Sequence, residues 1–239
     1  MPVREKIILA LDVSDAVYAL NLVDRFKDYV NVFKVGLELF VSAGPGIVEE
    51  INRKGKRVFL DLKFHDISNT VSRAALAAAR LGVYMFNVHA SGGLEMMKRC
   101  RESVVDLCLK ENIERPKILG VTVLTGLTQE ALKGELCIHH SLRTHVKQLS
   151  KLAAEAGLDG VIASGHEVAM IRSHFGKGFL IVTPGIRTSW SPPDDQRRTM
   201  TPREAIREGA DYIVLGRAVL NQPDPVKALE LISAEILTA

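Results

Sequence analysis

The 239-residue sequence predicts an α/β protein, folded as a single (β/α)8 TIM barrel over residues 1–239. Three observations support this prediction. Eight short apolar runs recur along the chain, segments with helical apolar spacing lie between them, and the length is close to the roughly 250 residues that such barrels use. Near-continuous apolar strands that alternate with helices are typical of a parallel sheet covered on both faces. Eight such units in this length favour a closed barrel over an open sheet.

The predicted strands are short, apolar and rich in β-branched residues. They lie at 6–12, 32–36, 57–63, 85–90, 118–124, 159–164, 179–185 and 211–216. The clearest helical segments between them lie at 15–29, 70–82, 93–111 and 141–157. No linker, low-complexity tract or shift in composition interrupts the pattern, so we expect one catalytic domain.

Composition limits the partners and the compartment. The net charge is only +3, from 31 basic and 28 acidic residues, which argues against binding to nucleic acid or to an anionic membrane surface. No run approaches the ~18 apolar residues of a membrane span, and the first residues lack a signal-peptide pattern. Three cysteines without a CxxC motif argue against a disulfide framework or a zinc site. We therefore expect a cytoplasmic protein.

Charged residues gather where the first three predicted strands end. Asp12 closes the first strand, Lys34 lies in the second, and the stretch "FLDLKFHD" carries Asp61, Lys63 and Asp66. In a barrel of this kind, the site is built at the carboxyl ends of the strands. Since Asp61 and Lys63 are two apart on one strand, we expect them to point the same way. An ion-pair network that only closes the barrel mouth is the alternative, but converging charges in an apolar sheet favour a functional site.

The carboxyl ends of the later strands predict an anion site. "TPGIR" (183–187) follows the seventh strand, and "LGRAV" (215–219) follows the eighth and opens the last helix. Barrels commonly bind phosphate in these two loops through backbone N–H groups. Gly216 permits close approach of the backbone, while Arg217 offers a planar fork of donors.

Other polar positions complete the predicted site. Thr122 and Thr125 lie around the end of strand five, and Pro184 follows strand seven. The long, turn-rich segment 187–202 is of a kind that often closes over a ligand. Within it, Gln196 is best suited to bridge a base and a phosphate. The residues alone predict a barrel that binds a phosphorylated small molecule beside a Lys/Asp array, and they leave the reaction open.

The motifs resemble those of the orotidine 5′-phosphate decarboxylase family. The resemblance rests on "DLKFHDISNT" together with "LALD", "FKVG", "VTVLTGL", "VTPGIR" and "LGRAV" in this order. It extends from the first strand to the last helix, and it is closest to the bacterial form. Ser68 replaces the usual Pro, and Gly126 replaces a frequent Ser that would offer a hydrogen bond to the pyrimidine.

The resemblance implies decarboxylation of orotidine 5′-monophosphate to uridine 5′-monophosphate, without a metal or organic cofactor. It implies that Lys63 stabilises the carbanion at C6 and protonates it, while Asp61 and Asp66 hold the ammonium in place. Lys34 would balance Asp61 and reach the ribose, where Asp12 would take a hydroxyl.

The resemblance also assigns the remaining contacts and a partner. It implies a homodimer with shared active sites, in which Asp66, Ile67 and Thr70 enter the site of the neighbouring subunit. Substrate contacts are expected from Asp12, Lys34, Asp61, Lys63, Asp66, Ile67, Thr70, Thr125, Pro184, Arg187, Gln196, Gly216 and Arg217, with the phosphate held by Arg187, Gly216, Arg217 and Gln196.

Two other functions share parts of this pattern. A magnesium-dependent decarboxylase or aldolase acting on a sugar phosphate would keep Asp61, Lys63 and Asp66, but it would need another acidic residue at a strand end. The second strand instead offers Lys34. A barrel that merely binds a nucleotide would gain little from burying alternating charges.

Overall fold

A computed structural model describes residues 2–188, 190 and 199–238, and these residues form a closed barrel of eight parallel strands in sequential order, β1 to β8. The last strand pairs with the first, with Ile8 opposite Val214. The strands are β1 Ile7–Ala10, β2 Val32–Gly36, β3 Arg57–Phe64, β4 Met85–His89, β5 Lys117–Val121, β6 Gly160–Ile162, β7 Leu180–Thr183 and β8 Tyr212–Leu215. The predicted TIM barrel is confirmed.

Helices surround the barrel. Those before β5 are α1 Val3–Lys6, α2 Ala16–Phe26, α3 Leu37–Ala43, α4 Gly46–Arg53, α5 Ser68–Arg80 and α6 Leu94–Glu111. Those after β5 are α7 Gln129–Gly134, α8 Leu142–Glu155, α9 Val168–Phe175, α10 Pro202–Glu208, α11 Arg217–Leu220 and α12 Pro225–Leu237. The "LGRAV" motif therefore opens the single turn α11, and the prediction that it opens the last helix was wrong. No helix among the described residues is long and apolar enough to cross a membrane.

Most strands are shorter than the apolar runs that predicted them, while β3 is longer and ends at Phe64. Strand β1 ends at Ala10 and β5 ends at Val121, so Asp12 and Leu124 lie in the loops that follow. The ends of these two predicted strands therefore belong to the loops at the carboxyl face, which is the face that builds sites in this fold.

The strands alternate between two cores, as the period of two requires. On β1, Ile7 and Leu9 pack against the surrounding helices, while Ile8 points into the barrel interior. The interior layer also contains Phe59 and Met85 from β3 and β4. This packed interior forms the floor beneath the carboxyl-face loops.

Local sequence signals fix the ends of several helices. Asp15, Thr128 and Ser141 accept hydrogen bonds from the first turns of α2, α7 and α8. Thr201 and Glu204 form a reciprocal capping box at the start of α10. Such caps satisfy backbone donors that a helix start leaves unpaired, so they define where each loop meets its helix.

Candidate active site

A cavity of about 240 Å³ opens at the carboxyl ends of the strands. Apolar side chains from the barrel interior, among them Phe59 and Ile162, form part of its wall. Nine of the residues predicted for the site line it: Asp12, Lys34, Asp61, Lys63, Thr125, Pro184, Arg187, Gly216 and Arg217. The cavity thus joins the charged ends of the early strands to the arginine-bearing loops after β7 and β8.

Lys34 connects the ends of the first and third strands. Its Nζ atom donates a hydrogen bond to Oδ1 of Asp12 at 2.6 Å and lies 3.5 Å from Oδ2 of Asp61. The Lys34 side chain is only 10% exposed, so its charge depends on these two carboxylates. Gly36 leaves room for the ammonium, because a Cβ atom there would lie 3.0 Å from Lys34 Nζ.

Lys63 contacts the other oxygen of the same carboxylate. Its Nζ atom lies 2.7 Å from Oδ1 of Asp61. The prediction that this pair lies on a regular strand was wrong. The pairing of β3 with β4 is irregular between Leu60 and Phe64, and Lys63 has φ of 52°. Both side chains still reach the cavity, but they do so across a bulge, a feature that often re-aims side chains beside active sites.

Asp61 is the buried centre of the charge array. Burial by itself raises the pKa of Asp61, but the charges of Lys34 and Lys63 and hydrogen bonds from Lys63 and Asn87 outweigh it. The pKa of Asp61 is therefore lowered, and the carboxylate is ionised at neutral pH. An alternating Lys–Asp–Lys arrangement places two fixed positive charges around one fixed negative charge.

Two arginines and a glycine from the loops after β7 and β8 also line the cavity. Gly216 follows β8 directly, and a Cβ atom there would lie 3.5 Å from Oδ2 of Asp12, so the two ends of the site meet at this point. Arg217 is the first residue of α11, and Arg187 lies in the loop after β7. Guanidinium groups beside exposed backbone N–H groups suit an oxyanion such as phosphate.

Four described residues of the predicted site, Asp66, Ile67, Thr70 and Thr122, do not line this cavity. Asp66, Ile67 and Thr70 are exposed in the single chain, and the carboxylate of Asp66 accepts a hydrogen bond of 2.7 Å from the backbone N–H of Ile67. Gln196 lies outside the described residues. The buried hydroxyl of Thr122 donates to the carbonyl oxygen of Ile162 at 2.8 Å and is used between the strands.

The sequence argument missed two polar residues of the site. Asn87 on β4 is fully buried and hydrogen-bonds both Asp61 and the backbone of Lys63. Ser164 lines the cavity, and its buried hydroxyl has no hydrogen-bond partner among the described residues. The available signal for Asn87 was a single amide in the otherwise apolar run "MFNVHA". No comparable signal distinguished Ser164.

A closed parallel barrel with a charged cavity at its carboxyl face has the architecture of a TIM-barrel enzyme. The family model described as "Orotidine 5'-phosphate decarboxylase / HUMPS family" matches residues 5–232. An orotidine 5'-phosphate decarboxylase from Moorella thermoacetica is 50% identical over 236 residues, covering 99% of this chain and 94% of that protein. One from Trichlorobacter lovleyi is 49% identical over 234 residues, covering 98% and 96%.

The solved structures lead to the same family. The crystal structure of orotidine 5'-phosphate decarboxylase from Lactobacillus acidophilus superposes with a TM-score of 0.84 at 34% sequence identity, covering 97% of this chain and 99% of that one. The chain belongs to the orotidine 5′-phosphate decarboxylase family.

Proposed function

We propose that the cavity decarboxylates orotidine 5′-monophosphate with Lys63 as the group that acts at C6. The reaction itself is that of the family: the chain is a carboxy-lyase that converts orotidine 5′-monophosphate to uridine 5′-monophosphate and CO2 in pyrimidine biosynthesis. The observation that carries the mechanistic proposal is the Lys63 ammonium, which lies 2.7 Å from Asp61 in the wall of the cavity.

The chemistry requires a positive charge beside the reacting carbon. When the bond between C6 and the carboxylate breaks, the electron pair stays on C6 and CO2 departs. A fixed ammonium stabilises the developing carbanion because preorganised charge is most effective where charge develops. The Nζ atom of Lys63 then delivers a proton to C6, and the neutral amine recovers a proton from solvent.

Asp61 and Lys34 have supporting roles in this proposal. Asp61 holds the Lys63 ammonium in its position, since the two groups form a salt bridge at 2.7 Å. Lys34 balances the charge of Asp61 and, with Asp12, reaches the ribose hydroxyls. The hydrogen bond of 2.6 Å between Lys34 and Asp12 supports a joint role for these two side chains.

The phosphate is assigned to the side of the cavity remote from Lys63. Arg187, Gly216 and Arg217 hold it, with Gln196 as an additional contact, while Thr125 and Pro184 contact the nucleoside. Binding energy from this non-reacting group can be used to position the base against Lys63. The lining of one cavity by Lys63 and both arginines supports a single nucleotide bound across it.

We further propose a homodimer in which each site borrows residues from the partner. Asp66, Ile67 and Thr70 would enter the second subunit's site, with Asp66 on the Lys63 ammonium. Ile67 is 72% exposed and Leu37, which follows the adjacent strand, is 56% exposed. Exposed apolar side chains at one edge of a barrel are typical of an interface.

A cytoplasmic location fits the three free cysteines, Cys100, Cys108 and Cys137.

The direct test is to incubate the purified protein with orotidine 5′-monophosphate and follow the pyrimidine absorbance, with and without EDTA. We expect the same activity in EDTA, because the Lys63 ammonium provides the positive charge that a metal ion would otherwise supply. Loss of activity in EDTA that Mg²⁺ restores would instead support the magnesium-dependent mechanism of a sugar-phosphate enzyme.

A further inference from the structure

We propose that Asn87 is a positioning residue that holds the backbone of Lys63 and the carboxylate of Asp61 in their working arrangement. The inference rests on the proposed roles of Lys63 and Asp61 in the reaction. It assigns a function to a side chain that lies beneath the cavity and is fully buried on β4.

The register between β3 and β4 shows why a side chain is needed at this point. Leu60 lies opposite Phe86, and Phe64 lies opposite Val88, so β3 advances four residues while β4 advances two. The extra residues of β3 form a bulge. Asp61 and Lys63 lie on this bulged segment, which faces Asn87. Backbone groups on such a segment lose their ladder partners, and a buried N–H without a partner is strongly disfavoured.

Asn87 supplies the missing partners from its side chain. Its Oδ1 atom accepts a hydrogen bond of 2.7 Å from the backbone N–H of Lys63. Its Nδ2 atom donates one of 2.6 Å to Oδ1 of Asp61, the same oxygen that accepts the Lys63 ammonium. One amide thus ties the main chain of Lys63 to the carboxylate that its side chain binds.

Only one orientation of the amide satisfies both contacts. A backbone N–H can only donate and an ionised carboxylate can only accept, so the oxygen must face Lys63 and the nitrogen must face Asp61. Leucine has a similar size and neither group. A carboxylic acid at this position has both groups while it is protonated and loses the donor when it ionises.

The conformation of Lys63 makes this support important. A φ of 52° is unusual for a residue with a side chain and persists only where the surrounding structure enforces it. Without the amide, the bulge can relax and carry the ammonium away from Asp61 and from the substrate. A displacement of about 1 Å can reduce a rate about 100-fold.

The test compares Asn87→Leu and Asn87→Asp with the wild type. Ser150→Ala is the matched control, because Ser150 is also fully buried but its hydroxyl bonds Val146 on α8, away from the cavity. We expect Asn87→Leu to reduce kcat about 100-fold with a change in KM below about threefold, because the groups proposed to bind the ribose and the phosphate are untouched while Lys63 is displaced. Ser150→Ala should keep the wild-type kcat. A wild-type kcat in Asn87→Leu would overturn the proposal, as would a loss confined to KM.

The Asn87→Asp variant provides a readout that a merely structural residue would not move. Two adjacent carboxylates share a site, so the pKa of one is raised. The other charged or titratable groups around this pair are Lys34 on β2, Lys63 on β3 and the imidazoles of His65 and His89, whose ring centroids lie 5.2 Å apart. The wild type contains the same groups. Dividing the activity of the variant by that of the wild type at each pH therefore removes the effect of their titration.

The activity of Asn87→Asp relative to wild type should rise at least about tenfold as the pH is lowered from about 9 to about 5, because the protonated acid reproduces both hydrogen bonds of the amide. The relative activity of Asn87→Leu should not depend on pH. A flat ratio for Asn87→Asp would overturn the proposal.

Hydrogen exchange tests the same contact without catalysis. The backbone N–H of Lys63 should exchange at least about tenfold faster in Asn87→Leu than in wild type, while Ser150→Ala leaves it unchanged. This measurement remains informative if Lys63 has no role in the reaction. If Asn87→Leu is too unstable, Asn87→Ala can replace it, because alanine also lacks the acceptor for the Lys63 N–H. Unchanged exchange at Lys63 would show that Asn87 does not hold this backbone.

Discussion

The ammonium nitrogen of Lys63 lies 2.7 Å from Oδ1 of Asp61, although the backbone of Lys63, with φ of 52°, has left the strand conformation. The contact therefore depends on the bulge between Leu60 and Phe64 and not on the alternation of a regular strand. Strained backbone conformations that the surrounding structure enforces cluster at active sites.

Removal of the charge on Asp61 should destabilise the fold at neutral pH. Asp61→Asn leaves Lys34 and Lys63 without their shared counter-charge, and breaking a buried pair typically costs about 3–5 kcal/mol. Urea unfolding at pH 7 measures the loss. Asp106→Asn, an exposed carboxylate on α6, is the control and should leave the unfolding free energy within about 0.5 kcal/mol of wild type.

The pH dependence of that loss has a definite sign. Because the folded-state pKa of Asp61 is lowered, the stabilisation is fully present above the unfolded pKa of about 3.9 and disappears as the pH falls through the folded value. The difference in unfolding free energy between wild type and Asp61→Asn should be constant from pH 7 to about 5 and shrink below about 4. A difference that already shrinks between pH 7 and 5 would contradict the lowered pKa.

Arg217→Ala should weaken the binding of phosphorylated substrate specifically. Charged hydrogen bonds contribute about 1.5–3 kcal/mol each, so KM should rise at least about tenfold. The rise should be much smaller for orotidine, which lacks the phosphate. Arg207→Ala removes an exposed arginine on α10 and should change neither value. If Arg217→Ala impairs both substrates equally, Arg217 does not hold the phosphate.

Mixed dimers test the proposed sharing of sites. Lys63→Ala and Asp66→Ala should each be nearly inactive as homodimers. After subunit exchange, a heterodimer has one site with both lesions and one with neither, because a two-fold interface exchanges the same parts in both directions. Random pairing should restore about a quarter of the wild-type activity per site. No recovery, with exchange confirmed by mass, would place Asp66 in its own chain's site.

The barrel and the location of the charges could be predicted because both follow from local patterns. Apolar runs such as "KIILALD" indicate strands, and charged residues such as Asp12 gather towards their carboxyl ends. A parallel barrel gathers all those ends on one face, so the residues that meet in the cavity follow from strand order alone. Several predicted strands were too long, because they included loop residues that follow the last hydrogen-bonded strand pair.

The bulge at Lys63 and the role of Asn87 depend on contacts between strands, which the sequence of one strand does not reveal. Nothing in "FLDLKFHD" indicates that Lys63 adopts a positive φ, since lysine has no preference for that region. Asn87 in the middle of β4 and Thr122 just after β5 are both polar residues in otherwise buried segments. One supports the site and the other bonds the neighbouring strand, and only the register distinguishes them.

The central claim is that Lys63 supplies both the positive charge and the proton at C6, and the turnover number of Lys63→Ala tests it most directly. Lys98→Ala, an exposed lysine on α6, is the control and should retain wild-type kcat. With folding verified by circular dichroism, Lys63→Ala should lose more than the 10²–10⁴-fold that a positioned general acid typically provides, because the carbanion also loses its counter-charge. A folded Lys63→Ala protein that keeps about a tenth of wild-type kcat would exclude Lys63 from the mechanism.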